Sequence, residues 1–106
     1  MADERNGLVI IDISNPNNPR QVGRYVTRDA YDVYIQGNYA YVADYYNGLL
    51  IIDISNPKSP TQVGWYDTAG NAVGVYIQGS YAYVADRDNG LVIIDISNPN
   101  NPRQVG

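Results

Sequence analysis

Three aspartates are placed as if for chemistry: Asp12, Asp53 and Asp95 each close an apolar run and precede Ser-Asn-Pro. Two converging carboxylates would support general acid–base work of the kind glycosidases do. Carboxylates one repeat apart should not converge, and a carboxylate ahead of a proline turn has an ordinary task, accepting backbone N–H groups. The run Asp86-Arg87-Asp88-Asn89-Gly90 invites a calcium reading but lacks the ligand spacing and distant glutamate of an EF-hand loop. Its sister turns, Asp3-Glu4-Arg5-Asn6-Gly7 and Asp44-Tyr45-Tyr46-Asn47-Gly48, keep only Asp, Asn and Gly. Those are hairpin-turn residues. Ser14, Ser55, Ser59, Ser80 and Ser97 have no base to activate them, since the chain contains neither histidine nor cysteine. We therefore expect no catalysis, no metal and no cofactor.

The remaining chemistry is aromatic. Eleven tyrosines and no phenylalanine occur in 106 residues. Tyrosine buries a large ring while keeping a hydroxyl at its tip, which suits half-wet packing surfaces and, in second place, a sugar or aromatic-ligand site. A net charge of −4 leaves no electrostatic footprint for DNA, RNA or an anionic membrane. Apolar runs such as Leu49–Ile52 are far too short to span a bilayer, so no membrane insertion is expected. Met1–Arg5 has no apolar region behind it and does not read as a signal peptide.

The elements that must position these residues come from repetition. Asn6-Gly-Leu-Val-Ile-Ile-Asp-Ile-Ser-Asn-Pro16 recurs at Asn47–Pro57 with one change, Leu50, and unchanged at Asn89–Pro99. Gly7, Gly48 and Gly90 stand 41 and then 42 residues apart. Periods in this range mark repeat architectures whose units cannot bury their apolar surface alone. A larger unit is also visible. Asn6–Gly23 and Asn89–Gly106 are the same eighteen residues, 83 positions apart, and Met1-Ala-Asp stands weakly in the place of Val84-Ala-Asp86. Such a duplication fits a recent tandem array, a piece cut from one, or an engineered sequence.

Each repeat reads as strands. Leu8–Ile13 is a β-branched run without helical periodicity, covered on both faces, and ended by Pro16 and Pro19. Gln21–Thr27 and its echo Gln62–Thr68 form the next strand. Asp32–Gln36 and Gly74–Gln78 follow a loop that differs by one residue between copies. Gly37-Asn38 and Gly79-Ser80 are hairpin turns leading into Tyr39–Asp44 and Tyr81–Asp86. In that strand Tyr39, Tyr41 and Ala43 point one way and Ala40 and Val42 the other. A tyrosine face on one sheet would interlock with an alanine–valine face on the next.

Four short antiparallel strands per 41 or 42 residues specify a β-propeller blade, so the expected class is all-β. Gly-Leu-Val-Ile-Ile-Asp-Ile-Ser-Asn-Pro, with Tyr-Ala-Tyr-Val-Ala-Asp upstream and Gln-Val-Gly downstream, resembles the LVIVD-repeat family of β-propellers over essentially the whole chain. The resemblance implies the fold and brings no catalytic motif. It also implies a frequent place at bacterial or archaeal cell surfaces.

From the axis outwards, Asp32–Gln36 is the innermost strand, Tyr39–Asp44 the second, Leu49–Ile54 the third and Gln62–Thr68 the outermost. The expected organisation is one repeat module: a half blade over 1–30, a complete blade over 31–68 and a blade with a truncated outer strand over 72–106. Closure needs about four blades, so the blades should be completed by homo-oligomerisation. Each bare end face would expose about 600 Å² of mostly apolar surface, near the limit for a soluble monomer. At ~25 cal/mol/Å² that is about 15 kcal/mol gross before association costs. The expected assembly residues are Leu8, Val9, Ile10, Ile11, Ile13, Leu91 and Ile93. Leu8–Thr27 should join Val75–Asp86 of a neighbour, giving six blades in a homo-trimer or eight in a homo-tetramer. Contacts that fail to close would give an open filament. A binding site for glycan or peptide, if present, belongs on the loop face, at Arg28, Asp29, Tyr31, Asp32 and Asn71.

Overall fold

The computed structural model describes residues 2–3, 7–27 and 29–106, and among these there is no helix. Eleven strands form three antiparallel sheets. The N-terminal sheet has the order β1(Ala2–Asp3), β2(Gly7–Asp12), β3(Arg20–Tyr25). The middle sheet runs β4(Ala30–Gln36), β5(Tyr39–Asp44), β6(Gly48–Asp53), β7(Thr61–Tyr66). The C-terminal sheet repeats it with β8(Ala72–Gln78), β9(Tyr81–Asp86), β10(Gly90–Asp95) and the two-residue β11(Arg103–Gln104). Within each sheet consecutive strands pair, as short turns dictate.

The strand-forming signals act as the sequence implies. Gly37 and Gly79 turn their hairpins with φ near +60°, a conformation that bulkier residues resist. Asp12, Asp53 and Asp95 each accept the N–H of the serine two residues on, at 2.8–2.9 Å, and thereby close the strand into the proline turn. Asn15, Asn56 and Asn98 repeat the device one turn later. The duplicated segment makes the same pairings in both places: Ala2 opposes Leu8 as Ala85 opposes Leu91, and Asp3 opposes Gly7 as Asp86 opposes Gly90.

Packing between sheets follows the alternation of large and small side chains. Ala40, Val42, Leu50 and Ile52 of the middle sheet meet Leu8, Ile10 and Tyr25 of the N-terminal sheet. The opposite face, Tyr41, Ala43, Leu49 and Ile51, meets Val75, Ile77, Ala82, Val84, Val92 and Ile94 of the C-terminal sheet. The three sheets form a stack of 42 × 25 × 19 Å, tightest where β4 lies against β8. Away from that line the sheets are pinned by glycine. A Cβ on Gly23 would come within 1.7 Å of the Pro57 carbonyl oxygen, and one on Gly64 within 1.9 Å of that of Pro99. Each outer strand thus accepts the proline turn of the following sheet directly against its backbone. Tyr25 and Tyr66 seal the same joints through their hydroxyls, 3.2 Å from Gln62 and 3.0 Å from Gln104.

Gly64→Ala should therefore force the middle and C-terminal sheets apart. An overpacking loss of about 1–3 kcal/mol is expected in urea denaturation, because the obstacle is backbone that cannot rotate away.

Candidate functional site

Two kinds of surface concentrate functional residues: the outer faces of the terminal sheets, and the loop rim where β4 and β8 begin. On the faces, the repeats supply their own controls. Leu91 is 61% exposed while its counterpart Leu49 is fully buried. Ile13 is 71% exposed and its counterpart Ile96 5%. Ile35 is 50% exposed and its counterpart Ile77 2%. Residue type and strand position are the same in each pair, so the difference is whether a neighbouring sheet is there. Of the expected assembly residues, Leu8 and Ile10 lie inside, against the middle sheet, and Val9 is buried. Ile11 and Ile13 lie on the outer face of the N-terminal sheet, and Leu91 and the half-buried Ile93 on that of the C-terminal sheet. Leu8–Ile11, Ile13 and Pro19, with Ile35 and Ile54 across from them, line an apolar cleft of about 480 Å³.

On the rim, a register shift positions the side chains. Ala30 opposes Asp44 but Asp32 opposes Ala43, so Tyr31 is the extra residue of a β-bulge. A bulge re-aims the side chain it carries. Tyr31 consequently leaves the sheet and stacks on Tyr45, with ring centroids 4.8 Å apart and planes at 27°. Tyr46 meets Tyr45 edge-on at 4.9 Å, and the Arg87 guanidinium lies 5.9 Å from the Tyr45 ring while donating to its hydroxyl at 2.6 Å. Asp32 points elsewhere: its carboxylate accepts from Val33 N at 2.9 Å and, across the sheets, from Val75 N at 3.1 Å. Asp29 donates its N–H to Asp44 Oδ1 at 2.6 Å and accepts from Tyr45 N. Asn71 donates to Asp86 Oδ1 at 3.2 Å and accepts from Arg87 N. Arg28 lies outside the described residues.

The rim thus brings Asp29 and Tyr31 together with Tyr45, and Asn71 beside Arg87, while Asp32 becomes a tie between β4 and β8. Tyr45, Tyr46 and Arg87 were not singled out by the sequence. Their signal was present in the variable centre of the Asp-x-x-Asn-Gly turn, where only the middle copy carries two tyrosines.

Among the described residues no three acidic, histidine or cysteine side chains are grouped to hold a metal. The carboxylates serve the backbone. Burial pushes Asp86 up, but the adjacent Thr68 hydroxyl and the N–H groups of Asp88, Asn89 and Asn71 outweigh it and hold the carboxyl below its ordinary value. The Ser14, Ser55 and Ser97 N–H groups, then their hydroxyls, lower Asp12, Asp53 and Asp95 in the same way.

The observed arrangement is that of a tandem-repeat module of antiparallel sheets, each repeat a four-stranded unit or part of one, held together by face-to-face packing. The chain belongs to the LVIVD repeat family, which it matches over residues 1–27, 27–68 and 69–106. No curated protein matches it.

Carboxyls lowered by folding make the unfolded chain the better proton binder in acid. Their stabilisation is complete above the ordinary value of 3.8 and disappears as pH falls through the lower folded values. Urea midpoints should accordingly drop as the pH is taken below the ordinary carboxyl value of 3.8. Asp86→Asn should be less stable than the parent at pH 7 and lose less on acidification, narrowing the gap between the two.

Proposed function

We propose that the chain is a non-catalytic, self-assembling β-propeller module whose copies join head to tail into a closed, multi-bladed ring. The carrying observation is the contrast between matched positions. The outer faces bear the side chains that already pack on one another inside the molecule, so a second copy presents each face with a counterpart known to fit. The Tyr81, Tyr83, Ala85 and Leu91 face is the analogue of Tyr39, Tyr41, Ala43 and Leu49. Ile11 and Ile13 stand where Ile94 and Ile96 receive that surface. The approach of β4 to β8, at the inner edge of the stack, supports a propeller rather than a flat stack. A contact between two different faces is heterologous and closes into a ring when the rotation per copy divides a full turn. Catalysis has no place in this reading, because the aspartates are engaged with backbone N–H groups.

Light scattering coupled to size exclusion tests it. The parent should elute at an integral multiple of 11.7 kDa. Ile13→Asp, at a position open to solvent in the single chain, should lower the mass to that of one copy while leaving the strand signal in circular dichroism. A parent that runs as a monomer would end the assembly reading.

A second reading, a surface module binding glycan through its loop face, is favoured by the aromatic rim. Tyr31 and Tyr46 present partly exposed rings beside the Arg87 guanidinium, and tyrosine rings stack well on the apolar faces of sugars. On a glycan array, binding that weakens at least tenfold in Tyr31→Ala and Arg87→Ala would support this reading, and a blank array with the parent would count against it.

A further inference from the structure

We propose that the assembly forms by strand exchange: β2 of one copy, with β3 on its outer side, pairs with β9 of the next, and β10 and β11 of that next copy are expelled. This rests on the assembly reading and specifies what happens at the joint. Within a single chain β10 holds the place beside β9, with six residue pairs from Gly90–Asp86 to Asp95–Tyr81. The segment Gly7–Gly23 carries the same residues as Gly90–Gly106, so β2 can make each of those pairs in the same register. The pairing of β2 with β1 is a two-residue sample of it, Ala2–Leu8 and Asp3–Gly7 in place of Ala85–Leu91 and Asp86–Gly90.

The two competitors thus make the same pairs with β9, for which β2 gives up its two pairs with β1, and they differ elsewhere. β3 spans six residues, and its last two, Arg24 and Tyr25, pair with Val9 and Leu8, so the incoming pair carries its own outer strand with it. The incoming pair also arrives attached to something that needs β8 and β9. Among the described residues the N-terminal sheet has no innermost strand, and its second is the two-residue β1. The cleft of about 480 Å³ between Leu8, Ile10, Ile35 and Ile54 is where the inner half of the sheet would stand. Ile35 projects into the space that, one repeat later, is filled around Ile77. A neighbour's β8 and β9, completing the sheet beside β2, would cover Ile35 and Ile54 as the middle sheet covers Ile77 and Ile96. Simple face-to-face docking leaves this cleft open.

Exchange makes every sheet in the assembly four full strands. Each copy then contributes two sheets, not three. The segment Leu91–Gly106 becomes a free tail, and Pro16 of the incoming copy takes the place of Pro99 against Gly64.

Two identical positions then have opposite importance, which makes the test sharp. Ile94 is fully buried in the single chain and Ile11 is partly exposed. In the full-length protein, exchange predicts that Ile94→Asp keeps the parent's oligomeric mass and melting temperature, whereas Ile11→Asp loses the oligomer. The chain has no cysteine, so a disulfide can be introduced cleanly. Leu8→Cys with Ala85→Cys places the two thiols on directly opposed residues of neighbouring copies, within disulfide reach. Oxidation should give covalently linked multimers on a non-reducing gel. A Leu8→Cys/Ala85→Cys variant that stays oligomeric yet shows only monomer after oxidation, or an Ile94→Asp variant that unfolds or dissociates, would overturn exchange while leaving assembly by face docking intact. A monomeric parent would remove both.

Discussion

The interaction on which this structure depends is the meeting of a tyrosine–leucine–isoleucine face with an alanine–valine–isoleucine face, repeated from sheet to sheet. Neither face is stable in water. Together they bury Leu49, Ile51, Val84 and Ile94 almost completely. The alternation of Tyr and Ala along β5 and β9 decides which side of each sheet is which, because side chains alternate across a strand. A sheet of this type has two sticky sides with different shapes, and so a stack of them has a direction. That polarity makes a head-to-tail arrangement the natural continuation of the internal packing.

Polar side chains are subordinate to this packing. Asp12, Asp53 and Asp95 end strands, Asp44 and Asp86 hold the turns that follow β5 and β9, and Asp32 ties β4 to β8. Each of these carboxylates is occupied by backbone N–H groups or, at Asp44, also by the Asn47 amide. All but Asp32 stand at matched places in successive repeats.

The architecture was legible because its cause is periodic. Strand order, the proline turns and the interlocking of Tyr41 and Ala43 with Ala82 and Val84 follow from residues that recur at fixed intervals. The rim was less legible because the residues it presents differ between repeats. The bulge recurs, at Tyr31 in β4 and Val73 in β8, but only the first carries an aromatic ring, and no local pattern announces the bulge itself. Asp32 reads as a rim carboxylate, yet it reaches across to Val75 N, and the position one repeat later is Gly74. Tyr31 and Tyr45 meet within the middle sheet, and Arg87 joins them from the C-terminal sheet. That last contact belongs to the packing of the two sheets, not to either one alone.

The duplication of Asn6–Gly23 at Asn89–Gly106 sets the energetics of the whole molecule. A strand that competes with its own copy for one site gains nothing from that site, since every pairing the winner forms is one the other copy gives up. The balance passes to whatever the copies do not share. Here the unshared features are the outer-strand residues Arg24 and Tyr25 and the open cleft beside β2, and both favour the N-terminal copy. In the proposed ring a small surplus would suffice, because a difference of about 1.4 kcal/mol per joint is already a tenfold preference and would accumulate over every joint. Repetition would make the proposed exchange nearly neutral, and the open cleft beside β2 would give it a direction.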